Sequence, residues 1–384
     1  MRHPFGAFMV ATLVLVAPAS GEVLIGVAPS LTGPVSQTGE IDKQTMEVAV
    51  ADLNARGGVL GERLRTVLVD DQCDAGAAVL AAGKLVAERV TVVFGHICSG
   101  AAVPASEVYE AAGIPMFSNG AVEPKLTERG QRYVFRLSAR TDREAALVAD
   151  LMATRYADKP IAVVHETQMS SLGLAAHVRS ELRLRGLKEA VDAELRPDQV
   201  DFNDLIASLR QAQAAVLFCA CFSEKAGLLV RQIWESGSRI QTLTGNGAGN
   251  DTFWALAGAE AAQATLTVQL PDWTRAHIPE MAPLMARLRG DGIDPELFGF
   301  NDYAGLQAWA QAAERAKSTR GADVAPILRQ ERFDTVLGTI GFDEKGDIVG
   351  PFRWVWNRWR DGPIGRCRPS RCCAGRSSKN NGRA

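Results

Sequence analysis

The sequence predicts an α/β protein built from two doubly wound parallel-sheet units in tandem, and three features carry that prediction. Short apolar runs alternate with stretches of helical spacing, the alternation restarts once along the chain, and 384 residues suffice for two domains of ordinary size. In the first unit, residues 23–27 make a short apolar strand. Residues 39–56 have helical spacing that ends at Gly57-Gly58, and 65–70 make a second strand. An alanine-rich helix over 75–88, a strand at 91–94, a helix at 101–111 and a strand at 115–118 continue the pattern. The second unit reads strand 161–165, helix 172–185, strand 190–195, helix 202–211, strand 215–219, helix 223–236 and strand 240–244. Strand followed by helix through short links places parallel strands between two helical layers.

Both ends differ from this body. Met1-Arg2-His3 is a basic start, the run from Phe5 to Ala17 is almost wholly apolar, and Ala17-Pro18-Ala19-Ser20-Gly21 offers small residues to a peptidase. That run is shorter than the roughly 20 residues a membrane-spanning helix needs. Residues 1–21 are therefore expected to be a secretory signal, with the mature chain starting near Glu22 outside the cytoplasm. Residues 364–384 hold Arg, Ser, Asn, Gly and the cysteines Cys367, Cys372 and Cys373, with little to bury, and are expected to be a disordered extension. Their cysteines lack a second matching pair for zinc. With 47% hydrophobic and 22% charged residues and a formal charge of −2, the chain has no basic stripe for nucleic acid.

Two cysteines stand in distinctive segments, Asp70-Asp71-Gln72-Cys73-Asp74 and Gly95-His96-Ile97-Cys98-Ser99-Gly100. In an exported chain a disulfide accounts for such a pair better than a metal. Cys219 and Cys221 point to the same face of a strand, a geometry unsuited to a bridge between them.

Ligands of doubly wound sheets gather beyond the carboxyl ends of the strands. Those ends are residues 29–39, 96–101 and 118–123 in the first unit, and 166–171 and 245–250 in the second. At Cys98-Ser99-Gly100 a turn feeds a helix, so Ser99 and neighbouring amides suit an anion at the positive helix end. A plain helix cap accounts for Ser99 equally well.

Enzyme signatures are incomplete. Gly245-Asn246-Gly247-Ala248-Gly249 has its third glycine one residue too early for a dinucleotide loop. His165-Glu166 begins like a zinc-protease motif, yet Met169 occupies the position of the second histidine. No Gly-x-Ser-x-Gly elbow occurs, so neither catalysis nor a cofactor or resident metal is expected.

Seven segments together resemble the solute-binding proteins of branched-chain amino acid ABC transporters. They are Leu31-Thr-Gly-Pro34, Asn54-Ala-Arg-Gly-Gly58, Asp70-Asp-Gln-Cys73, Gly95-His-Ile-Cys98-Ser99, Pro124-Lys-Leu-Thr127, Phe202-Asn-Asp204 and Phe342-Asp-Glu-Lys-Gly-Asp347. The resemblance covers about Val23 to Gly362. It implies a type I periplasmic binding protein: two lobes joined by a three-stranded hinge and closing on a small ligand, a monomer in the periplasm that serves a membrane permease. The first lobe would comprise 22–140 and 271–340, the second 141–270 and 341–363. The family's disulfide maps onto Cys73 and Cys98.

The resemblance also places the ligand. Ser99 and the amides of the Gly120-Ala121-Val122 turn would take a carboxylate. Departures follow: Val122 replaces a threonine, and Asn246 stands where an acidic residue would pair with an α-ammonium. Thr38 and Ser170 occupy positions where relatives often carry tyrosine. Glu123 is a conceivable substitute acid. Cys221, Phe222 and Phe300 are plausible pocket walls or ordinary core residues, and Trp273 lies near the expected hinge. The ligand is accordingly expected to keep an anionic or accepting end and to lack an amino-acid ammonium. Carboxylates come first and short amides or urea second. A ligand-sensing receptor component is the alternative role.

Overall fold

A computed structural model describes residues 21–270, 279–293, 297–350, 354–359 and 365–366. Residues 1–20 of the expected 1–21 signal, Trp273 and most of the expected tail, with Cys367, Cys372 and Cys373, lie outside the described residues.

The first unit is a parallel sheet of β1 (Glu22–Ala28), β2 (Arg63–Leu68), β3 (Val92–Gly95), β4 (Met116–Ser118) and β5 (Val134–Arg136), in the order β2-β1-β3-β4-β5. Helices α1 (Ser36–Ala55), α2 (Ala75–Ala87) and α3 (Ser99–Ala112) link its first four strands. The sheet separates two apolar layers. On one side α2 and α3 contribute Ala78, Leu85, Ala105 and Tyr109. On the other, Met46 from α1 and Trp309 from α11 (Leu297–Ala316) meet Ile25, Val27 and Phe94.

The second unit begins at α4 (Thr141–Arg155). It continues through β6 (Ile161–His165), α5 (Met169–Leu184), β7 (Glu189–Glu194), α6 (Asn203–Gln211), β8 (Val216–Ala220), α7 (Ser223–Glu235), β9 (Gln241–Thr244), α8 (Asp251–Ala257), α9 (Ala259–Ala264) and β10 (Leu266–Gln269). Strands β6 to β10 run parallel, and β14 (Val355–Arg358) then joins β10 antiparallel. Alternation along β6 sends Ile161 and Val163 to the layer of α4 and α5, and Ala162 and Val164 to that of α6 and α7.

After β10 the chain returns to the first unit as α10 (Ala282–Gly290), α11, α12 (Gly321–Gln330) and a small antiparallel sheet of β11 (Arg332–Thr335), β12 (Gly338–Phe342) and β13 (Ile348–Val349). Phe342 and Ile348 pack with the first sheet's core, where Phe342 sits edge-on to Phe117 and Phe135. The last passage between units therefore falls after Val349, later than the expected boundary at 340/341. Gly365–Arg366 pairs with β14 as β15, so the tail's first residues extend the second sheet.

Several expected elements shift in ways that bear on function. Helix α1 starts at Ser36 rather than Gly39, and α5 at Met169 rather than Leu172, so Thr38 and Ser170 occupy first helical turns instead of loops. Gly39 is needed there because a Cβ would stand 2.1 Å from the Ser30 carbonyl oxygen. Phe300 is fully buried among the first unit's core residues, the ordinary core placement that its sequence position also allowed. Cys219 and Cys221 are disulfide-bonded, against expectation. Strand β8 ends at Ala220, so Cys221 has left the extended backbone. The two Cα atoms are 5.2 Å apart, inside the roughly 6.6 Å that two strand residues span.

Candidate ligand-binding cleft

In both sheets the chain reverses its winding between neighbouring strands, β1 and β3 in the first, β6 and β8 in the second. Crevices open at such switch points, and the segments that follow these strands and their neighbours β4 and β9 hold most of the expected site residues.

The turn after β2 is set by its two carboxylates. Asp70 Oδ1 accepts from the amides of Leu31 and Gln72, and Asp71 Oδ1 from the Cys73 amide and the Ser30 hydroxyl. Gln72 and Cys73 adopt left-handed φ values of 58° and 55°, which carry Cys73 to Cys98, with Cα atoms 5.4 Å apart. Buried His96 also turns at a positive φ, its ring between Asp71 Oδ2 at 2.7 Å and the Tyr109 hydroxyl at 3.0 Å. Its carbonyl accepts from the Ser118 hydroxyl, whose oxygen receives the Ala121 amide proton. The disulfide loop and the turn at 120–123 are thus one hydrogen-bonded assembly.

Ser99 is not a cap: Cys98 holds the cap position of α3, with no side-chain capping bond. Its Oγ instead accepts from the amides of Val122 and Glu123, at 3.2 and 3.3 Å. The expected anion donors therefore satisfy one another, and the Ser99 hydroxyl itself donates to no acceptor among the described residues. Gly120 and Ala121 are buried in support. A Cβ on Gly120 would stand 2.4 Å from Ile97, and the Ala121 carbonyl accepts from Arg136 and Ser138.

The second unit's turns are also tied internally. Asn246 Oδ1 accepts from the Leu270 amide at 3.3 Å, so its side chain braces the turn against the end of β10. The Asn246 amide donates to Glu144 Oε1 at 2.7 Å. Burial pushes the Glu144 carboxyl up to about 8, and this single amide bond only partly opposes the shift. Glu166, also buried, accepts the Phe222 amide at 2.6 Å, and burial raises its pKa too. Sequence reasoning missed Glu144 and met Glu166 only in an incomplete protease motif and at the start of the 166–171 segment. Cys221 lies buried in the bridge to Cys219, whereas Phe222, Met169 and Leu172 leave apolar surface exposed beside Ser170.

The chain first passes between units at 137–140, where an ion network anchors it. Asp347 receives Arg136 Nε and an Arg140 guanidinium nitrogen, each at 2.7 Å, and the Thr127 hydroxyl at 3.0 Å. Arg140 also binds Asp142 and Glu128. The amide of Thr141, the first residue of α4, donates to the Val122 carbonyl at 3.0 Å.

Two sheets of this topology, facing turns and a braced crossing are the build of a two-lobed receptor, and the sequence comparison decides the point. The periplasmic binding protein model matches residues 22–355. The chain belongs to the periplasmic binding protein family. It is a solute-binding protein of the branched-chain amino acid ABC transporter type and not an enzyme. A Leu/Ile/Val-binding protein homolog 2 of Brucella abortus is 33% identical over 94% of this chain and 96% of its own length. A leucine binding protein from Thermotoga maritima shares the fold with a TM-score of 0.76 at 22% identity, covering 90% of this chain and 98% of that one. A solute-binding protein from Rhodopseudomonas palustris in complex with 3,4-dihydroxybenzoic acid has a TM-score of 0.74 at 19% identity, covering 89% and 95%. Binding proteins of this family take up small ligands and work with a membrane permease. Among the described residues no helix is long and apolar enough to cross a membrane.

In this periplasmic binding protein the lobes also touch across the cleft, through α3 and α5 and through Glu123. A Cβ on Gly173 would stand 2.2 Å from Glu123 Oε2, so the glycine leaves the notch that the carboxylate enters. Glu123 Oε1 lies 3.9 Å from His177 Nε2, an ion-pair separation rather than a hydrogen bond. Glu123 raises the His177 pKa above its ordinary value, burial opposes this, and Asp142 adds to it while Arg140 works against it. The paired imidazolium favours the joined lobes below the ordinary histidine pKa, and the effect fades as pH rises through the raised value. Ligand affinity should therefore weaken over that window. A pH series on wild type and His177→Gln checks this, the variant showing a flatter profile.

Proposed function

We propose that this protein is an exported, monomeric receptor that captures a small organic carboxylate lacking an α-ammonium group and delivers it to an ABC permease. Asn246 carries this reading, because its side chain braces the second-lobe turn and offers no negative charge to a ligand. Enclosing an ammonium without a partner carboxylate costs several kcal/mol, which is orders of magnitude in affinity. Burial raises the Glu144 pKa to about 8, so without ligand its carboxyl is held toward the neutral form at neutral pH. Ser99 supports an acceptor-binding half-site, its hydroxyl seated on the Val122 and Glu123 amides. A carboxylate arriving there accepts the Ser99 proton and competes with Oγ for those amides. The dihydroxybenzoate complex of the Rhodopseudomonas relative makes an acid without an ammonium a reasonable cargo for the fold.

Titrating the purified mature protein with leucine, valine, benzoate, an α-keto acid and acetamide tests the reading. One of the acids should bind with at least tenfold higher affinity than either amino acid. Tight leucine binding would sink the argument from Asn246.

A further inference from the structure

Glu144 stands where both ligand turns converge. Thr141 and Glu144, three positions apart, share a face of the first turn of α4. Thr141 holds the first-lobe turn through the Val122 carbonyl, and Glu144 holds the second-lobe turn through the Asn246 amide. Only one oxygen of Glu144 is engaged in this way: the residue is 3% exposed, and Oε2, which makes no hydrogen bond among the described residues, is not one of the fully enclosed unpartnered atoms and so keeps an accessible edge. Gly245 lies close to this carboxyl, since a Cβ there would stand 2.6 Å from Oε1 and 2.9 Å from Leu174 of α5. An accessible carboxyl edge of an otherwise buried residue can take a partner, and the cleft between the two turns is where one can arrive.

We propose that Glu144 is a ligand-contacting, specificity-determining residue whose Oε2 hydroxyl donates to a second acceptor oxygen beside the ligand's carboxylate, which selects 2-oxo or 2-hydroxy acids over simple acids. This rests on the carboxylate reading above. The protonation it requires is what burial enforces, since the carboxyl titrates at about 8 and no charged neighbour contributes to that shift. Charged groups on the elements around it are engaged elsewhere: Arg140 with Asp142 and Asp347, and His177 with Glu123. Above its pKa the same residue becomes an anion beside an anionic ligand and repels it.

Three probes with one branched skeleton separate the outcomes: 3-methylbutanoate, 3-methyl-2-oxobutanoate and valine, which differ only at the α-carbon. In wild type at pH 7 the oxo acid should bind about tenfold tighter than the simple acid, the size of one good hydrogen bond to a ligand. Its affinity should fall above pH 8. Glu144→Ala should erase the oxo-acid preference. Glu144→Gln keeps a donor and cannot ionise, so it should retain the preference and lose that alkaline decline. An unchanged preference in Glu144→Ala, or an unchanged decline in Glu144→Gln, overturns the role of Glu144 and leaves the carboxylate reading standing. If valine binds tightest, with calorimetry in two buffers showing a proton released, Glu144 is instead the ammonium's partner and the carboxylate reading falls. Binding of none of the three overturns the selection of 2-oxo and 2-hydroxy acids by Glu144, and the carboxylate reading is then decided by the benzoate titration.

Discussion

Replacing Asp347 with Asn is expected to cost about 3–5 kcal/mol of stability at neutral pH, the range found when one member of a buried ion pair is removed. Asp347 lies between two guanidinium groups, and Arg136 is fully buried. Without the carboxylate, Arg136 keeps only neutral acceptors, the carbonyls of Ala121 and Pro124 and the Thr127 hydroxyl, and faces Arg140 as a like charge. Burial opposes ionisation of Asp347, but Arg136 and Arg140 outweigh it and hold the carboxyl below its ordinary value. A depressed carboxylate stabilises the fold above its unfolded-state pKa, and that contribution disappears as pH falls through the folded-state value. Urea unfolding should therefore show a large loss for Asp347→Asn at pH 7 and a much smaller difference near pH 2. Equal losses at both pH values would show that the ion pairs are not the cause. Ligand affinity should fall as well, because Arg136 also holds the Ala121 carbonyl under the Ser99 turn.

This network shows what the family-like segments encode. Phe342-Asp-Glu-Lys-Gly-Asp347 is a brace rather than a binding motif. Asp343 accepts the Lys345 and Asp347 amides, Lys345 pairs with Glu128, and Gly346 lies where a Cβ would stand 2.2 Å from the Val134 carbonyl oxygen. Thr127 of Pro124-Lys-Leu-Thr127 bonds Asp347, and Asn54 clamps both backbone groups of Leu64 at the start of β2. Such contacts use several groups at fixed offsets within short segments, so they leave a pattern that one sequence can display. The alternation of strands and helices is legible for the same local reason.

The missing pieces depend on contacts distant in sequence. Helix α4 went unread although it is 15 residues long, and with it went Glu144. An acid in a first helical turn is an ordinary complement to the helix dipole, and nothing local says that its oxygen meets residue 246. Phe300 was open between two readings. An aromatic near an expected cleft suits a pocket wall, yet the packing of α11 against α1 turns it into the core. Ser99 was found for its position beside a helix end, but its true partners are amides 23 and 24 residues onward. A signal for Glu144 did exist: it is a carboxyl followed in sequence by Ala145 and Ala146 on a helix whose inward positions Val148, Ala149 and Met152 are apolar.

Removing the two disulfides separately should give unequal results, and the inequality tests how the cleft is built. Closing the 25-residue separation between Cys73 and Cys98 contributes about 3.5 kcal/mol in the chain-entropy relation, whereas the two-residue step from Cys219 to Cys221 contributes only about 1 kcal/mol. Paired serine substitutions at 73 and 98 should therefore lower the unfolding free energy by about 3 kcal/mol, read from urea denaturation. The same change at 219 and 221 should shift it far less. Ligand binding need not follow stability. Cys98 immediately precedes Ser99, and its partner Cys73 is set by Asp71, which also holds His96 and through it Ser118 and Ala121. Opening this bridge frees the base of the anion-binding turn, so affinity should fall along with stability. Cys221 precedes Phe222, whose amide remains fixed on Glu166 whether or not the bridge is closed. The second pair of serines should accordingly leave affinity within about threefold of wild type, less than one hydrogen bond's worth. A larger loss of affinity from the 219/221 pair than from the 73/98 pair would mean that the second-lobe wall, rather than the Ser99 turn, dominates recognition.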